Sequence, residues 1–136
     1  MTVLLDANAL IALVVAEHEH HERVAEWFTG VQAFAVCPIL EGVLVRFLLR
    51  VGESASTASS ALTLIRTHPR CEFWADDASY ADLDLSGLGG HRQVTDAYLA
   101  GLASTHGGNL ATLDEALANS HPAARLIPEV GTPAGR

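Results

Sequence analysis

The chain reads as short apolar runs set between longer segments whose apolar residues recur at helical spacing. The short runs are residues 2–5 (TVLL), 33–37 (AFAVC), 71–75 (CEFWA), 109–113 (NLATL) and 125–128 (RLIP), and each predicts a strand, the last an edge strand. Good helix formers fill residues 7–16. Val24, Trp27 and Phe28 give residues 17–28 one apolar face, ended by Gly30. Residues 38–51 open on Pro38, well placed in a first turn, and carry Val43, Leu44, Phe47 and Leu48. Residues 54–68 carry Ala61, Leu62, Leu64 and Ile65, and Pro69 closes them. Residues 76–84 predict a short helix with Ala78, Ala81 and Leu85 inward, and residues 86–93 a glycine-rich loop. Residues 93–106 form the best helical pattern, stopped by Gly107 and Gly108, and residues 115–119 a last short helix.

Strands alternating with helices predict an α/β domain of three layers, a parallel sheet of four to five short strands flanked by helices. One domain over residues 1–130 is expected, with residues 131–136 a frayed tail. In such sheets ligands bind beyond the carboxyl ends of the strands. Asp6 and Asp114 each stand directly after a strand there, while Glu41 and Asp96 fall in first turns of helices that follow a strand or a loop. Each also has a structural explanation, because Asp is a favoured N-cap and negative charge is favoured in a first helical turn. Four acids at equivalent places favour a shared site, since they would all face one crevice and repel unless a cation held them. Hard oxygen donors without His or Cys select Mg²⁺ or Mn²⁺. The chemistry that follows is phosphodiester hydrolysis by metal-activated water.

Composition narrows the choice. Sixteen acidic and eight basic residues give a net charge of −8, which argues against a broad basic surface for nucleic acid. All the basic residues are arginine, so a Walker A loop, which needs its lysine, is excluded. Cys37 and Cys71 stand singly and read as buried thiols. The longest apolar run, residues 9–16, is too short to span a bilayer, so a cytoplasmic, soluble protein without a membrane is expected. His18 and His21 share a helix face, but their place at a polar helix start suits solvent as well as metal.

Four segments carry a resemblance: LLDANALIAL around Asp6, PILEGVLVR around Glu41, VTDAYLAGLA around Asp96 and ATLDEAL around Asp114. Together they resemble the PIN-domain ribonucleases of the VapC toxin family over nearly the whole chain. The resemblance implies a PIN-like fold, a Mg²⁺- or Mn²⁺-dependent endoribonuclease acting on structured RNA such as tRNA or rRNA, a homodimer, and neutralisation by a VapB-type antitoxin. It makes Asp6, Glu41, Asp96 and Asp114 the catalytic, metal-binding acids, with Asn8 and Thr112 orienting Asp6 and Asp114. Arg46, Arg92 and His91 are candidates for contacting RNA. Gly42 departs from the pattern, where the family carries a larger apolar residue, and is expected to loosen local packing. Val43, Val45, Leu48, Leu49, Trp27 and Phe28 exceed what one small core needs, which fits a dimer. Two rival readings are a metal-free ribonuclease using His91 and His106, and a PIN-like module that binds without cutting.

Overall fold

The computed structural model describes residues 1–131. Five strands, β1 (Thr2–Leu5), β2 (Ala33–Val36), β3 (Cys71–Phe73), β4 (Asn109–Thr112) and β5 (Ala124–Leu126), form one parallel sheet in the order β3-β2-β1-β4-β5. The helices are α1 (Ala7–Val14), α2 (His21–Phe28), α3 (Pro38–Arg50), α4 (Ala55–Arg66), α5 (Val94–Thr105) and α6 (Glu115–Ser120). The chain moves outward from β1 through β2 to β3, then reverses to β4 and β5. Right-handed crossovers therefore put α1, α3 and α4 on one face, where they pack together, and α5 and α6 on the other. The direction of progression reverses between β1 and β4, so the crevice of the sheet opens where Asp6 and Asp114 stand.

The central strands are buried on both faces because both carry helices. Leu4, Leu5, Phe34, Ala35, Val36, Leu110 and Ala111 are buried, which is why these strands read as continuous apolar runs rather than alternating ones. On the helices the buried positions recur at helical spacing, as Leu40, Leu44 and Leu48 do on α3. Gly107 ends α5 at φ +71, a conformation that disfavours a side chain, and a Cβ at Gly108 would lie 2.3 Å from the Thr2 carbonyl. That glycine pair lets β4 start against β1.

Three expectations need correction. Residues 17–20 are turns and bends, and α2 begins only at His21: His20 supplies no side-chain cap, and its N–H donates to His18 Nδ1 at 3.0 Å. Residues 76–84 hold no α-helix: a 3₁₀ turn at Tyr80–Asp82 is all that forms, since Leu83 is drawn down onto α5 at Gly101, where a Cβ would stand 2.3 Å from it. Gly42 loosens nothing, as a Cβ there meets no atom within 4 Å. The expected tail lies outside the described residues except for Gly131. Of the apolar residues read as surplus, Leu48 is core and Leu49 is exposed, while Val43, Val45, Trp27 and Phe28 are half-buried. No helix among the described residues is long and apolar enough to cross a membrane.

Candidate active site

Asp6 leaves β1 with its backbone N–H still donating to the Ala111 carbonyl at 3.0 Å, so the residue is pinned to the sheet. Its carboxylate does cap α1: Oδ1 accepts from the Ala9 N–H at 2.8 Å. A cap alone does not explain the rest. The side chain is 4% exposed, and Oδ2 accepts a 2.5 Å hydrogen bond from the Thr112 hydroxyl on the last residue of β4. The same Thr112 oxygen accepts the backbone N–H of Asp114 at 3.0 Å. Thr112 thus ties the two strand-end acids together across the switch point, and is itself fully buried.

Burial pushes the Asp6 carboxyl up from 3.8 to about 6, against the hydrogen bonds from Thr112 and Ala9, and the charges of Asp96 and Asp114 push it the same way. Asp96, half-buried in the first turn of α5, is raised by burial and then by Asp114, while His121 lowers it. Asp114 is exposed and caps α6, accepting from the Ala116 and Leu117 N–H groups at 2.9 and 3.2 Å. The charges of Asp96 and Asp114 thus bear on Asp6, and that of Asp114 on Asp96. None is in an ion pair with an arginine or histidine among the described residues.

Glu41 stands differently. Its carboxylate faces Arg66 Nη1 at 3.9 Å, and the charges that raise Asp6 do not include it. It adds instead to the upward shift of Cys71, which burial dominates. As the side chains stand, no three acids, histidines or cysteines among the described residues are close enough together to grip an ion. Of the four acids, Asp96 and Asp114 are felt by Asp6, while Glu41 stands apart beside Arg66.

Asn8 does not orient Asp6; it is exposed, makes no hydrogen bond to that carboxylate, and Ala9 and Thr112 do the orienting. Thr112 touches Asp114 only at its backbone N–H, and the Asp114 carboxylate is set by the Ala116 and Leu117 N–H groups. His91 and Arg92 are exposed in a 3₁₀ turn (His91–Gln93) just before α5 and so flank Asp96 at the cleft. Arg46 is exposed on α3, five residues past Glu41, which places it roughly 140° round the helix and about 7.5 Å further from the cleft. His106 serves the fold: its ring stacks on Trp74 at 4.1 Å and pairs with Asp77 at 3.7 Å, at the far end of α5 from Asp96. That removes the His91 and His106 pair from consideration as one catalytic unit.

Three residues near the site escaped the sequence. His121 follows α6 and is felt by Asp96; Asp76 caps α3 through the Ile39 N–H at 3.1 Å; Arg66 faces Glu41. Only Asp76 carried a local signal, an acid after a strand end. The other two depend on how α4 and α6 pack.

A sizeable concavity lies away from the acids. It is an apolar groove of about 970 Å³ between α1, α3 and α4, lined by Leu13, Val14, Phe47, Leu48, Leu64 and Ile65 among others.

A PIN domain model matches residues 3–120. Ribonuclease VapC29 of Mycobacterium tuberculosis (strain CDC 1551 / Oshkosh) is 55% identical over 130 residues, covering 94% of this chain and 98% of that protein. Ribonuclease VapC38 of M. tuberculosis (strain ATCC 25618 / H37Rv) is 40% identical over 118 residues, covering 82% and 84%. A solved structure, VapBC2 from Rickettsia felis bound to a DNA fragment from its promoter, contains a chain that superposes with a TM-score of 0.66 at 18% identity. The match covers 93% of this chain and 97% of that one, and shares the fold.

Proposed function

The chain belongs to the PIN-domain family and, within it, to the VapC ribonucleases, the toxins of VapBC pairs, and on that premise we propose that it cuts structured cellular RNA at the crevice between β1 and β4. The observation that carries this reading is the buried Asp6 carboxylate at the strand end, repelled by the charges of Asp96 and Asp114, with no arginine or histidine in an ion pair with any of the three among the described residues. A fold keeps such charges together at a cost in stability, and the cost is offset when something cationic binds.

A divalent ion fits that donor set. The oxygens are hard, and Mg²⁺ binds through one or two carboxylates while keeping several waters, so the three acids need not already form a closed cage. Asp6, Asp96 and Asp114 would hold the ion, with Glu41 joining when it leaves Arg66; a bound Mg²⁺ or Mn²⁺ supplies activation of water and stabilisation of the leaving oxygen. The chain's own residues do the rest. Thr112 holds Asp6 Oδ2 and the start of α6 in one register, and its hydrogen bond keeps Asp6 more acidic than burial alone would leave it. The positive ends of α1 and α6, each aimed at a capping carboxylate, favour anions at the same edge.

The partner reading follows the family: a VapB-type antitoxin neutralises the toxin, and the apolar groove between α1, α3 and α4 offers it a surface of the kind an amphipathic helix fills. A homodimer is part of the same proposal, supported by exposed Leu49 on α3 and by Val51 beyond it. The test is cleavage of bulk tRNA by the purified chain in Mg²⁺, Mn²⁺ and EDTA, beside Asp96→Asn. Metal-dependent cleavage that the variant loses is expected. Equal cleavage by wild type and variant, or none by either in both metals, contradicts the reading.

A further inference from the structure

Of the eight arginines, three are spent on the fold. Arg23 donates to the carbonyls of Ile127 and Pro128, Arg70 to those of Phe28 and Val31, and Arg125 to those of Pro122 and Ala124. Arg66 is not spent in this way. It ends α4, makes no hydrogen bond among the described residues, and lies with its guanidinium 4.2 Å from the ring centre of Phe73. Its ion pair with Glu41, at 3.9 Å, is too long for a hydrogen bond, so its donors remain available. Phe73 is the last residue of β3, level with Val36 at the carboxyl edge of the sheet, and it is 41% exposed.

An aromatic ring left open to solvent at the rim of an acid cleft, with a guanidinium laid over it, has no role in the core. Two strand spacings, roughly 10 Å, separate β3 from β1 and hence from Asp6. Glu41 lies between them. From these positions we infer that Phe73 and Arg66 form a stacking platform for an unpaired base of the RNA substrate, a nucleotide or two from the bond that is cut. The inference rests on the ribonuclease reading above.

The chemistry suits RNA better than an acidic peptide. Unstacked bases of RNA loops are held on aromatic rings and on guanidinium planes, and stacking needs no net positive surface, which a chain of charge −8 lacks. Arg66 adds a fork for the phosphate beside the stacked base. A carboxylate-rich peptide would find one cation here, next to Glu41, and no flat polar edge to match the ring.

The test is binding of fluorescein-labelled bulk tRNA to the Asp96→Asn protein, by anisotropy, with Phe73→Leu, Phe73→Trp and Arg66→Ala added to that background. Phe73→Leu should weaken binding by on the order of ten-fold and Phe73→Trp should preserve it. Fluorescence of the Phe73→Trp protein should also be quenched when tRNA is added, beyond any change that Trp27 and Trp74 show in the parent. Arg66→Ala should weaken binding and flatten its salt dependence by about one counterion. Thermal melts check that each variant folds, and Phe73, being exposed, tolerates leucine. Unchanged binding by Phe73→Leu and no quenching of the new tryptophan would overturn the platform while leaving the ribonuclease reading intact. Loss of antitoxin binding with RNA binding unchanged would assign the rim to the protein partner instead. Wild-type protein that neither binds nor cuts tRNA would remove both the platform and the ribonuclease reading.

Discussion

Asp6→Asn should make the protein more stable, and the gain should depend on pH. Raising the Asp6 carboxyl from 3.8 to about 6 means the folded state disfavours its ionised form by roughly 3 kcal/mol, at 1.36 kcal/mol per unit. Between those two values the folded chain holds a proton that the unfolded chain has released. Stability therefore falls as pH rises from about 4 to about 6 and is level above, the reverse of a salt-bridged aspartate. An amide at position 6 keeps the shape and the Ala9 hydrogen bond but offers Thr112 a donor in place of an acceptor, which returns about 1 kcal/mol of the gain. The net at pH 8 is on the order of 2 kcal/mol. With an unfolding entropy of ~2.1 cal/mol/K per residue over 136 residues, that is about 7 °C in Tm. Calorimetry of both proteins at pH 4 and pH 8, without divalent metal, measures it. A variant that melts at or below wild type at pH 8, or that gains equally at pH 4, would refute the claim that an ionised, buried Asp6 is a strained charge. Mn²⁺ should then raise the wild-type Tm and leave the variant nearly unmoved.

Thr112→Val keeps the shape of a fully buried residue but leaves Asp6 Oδ2 and the Asp114 N–H without their partner, at a cost of about 1–3 kcal/mol by chemical denaturation. Because the Thr112 hydrogen bond lowers the Asp6 carboxyl, the acidic limb of the pH–activity profile should also move to higher pH; a limb that stays put argues against Asp6 acting ionised. Asp114→Ala should cost roughly 0.5–2 kcal/mol through loss of the α6 cap and abolish cleavage, whereas Asp114→Ser should recover the stability without the activity, as thermal melts and tRNA cleavage would show. Gly108→Ala drives a Cβ into the Thr2 carbonyl and should destabilise by about 2 kcal/mol or more, whereas Gly42→Ala on the exposed side of α3 should be neutral or stabilising, both read by thermal melts.

Most of the fold was legible because the strands are short, the three central ones doubly covered and apolar, and because proline and glycine punctuate the helices. All five strands and six helices stand within a few residues of their expected places. Residues 76–84 misled because their apolar residues fit a helical period, but in the fold Leu83 and Tyr80 are anchors on α5, at Gly101 and Tyr98, holding an irregular strap. The acids at strand ends were visible because topology alone places them at the crevice. What local pattern could not show is how each carboxylate is held. Asn8 sits two residues from Asp6 and does nothing for it, while Thr112, 106 positions away, holds it at 2.5 Å. Glu41 belongs to a first turn like Asp96, but the packing of α4 gives it Arg66 as a neighbour.

The central claim, that the β1–β4 crevice cuts RNA through acids charged with a divalent ion, is tested most directly by the chemistry of the ends it leaves. Cleaved tRNA should carry 5′-phosphate and 3′-hydroxyl termini, formed only when Mg²⁺ or Mn²⁺ is present and not by Asp96→Asn. Cleavage that persists in EDTA, or fragments ending in cyclic phosphate, would contradict it.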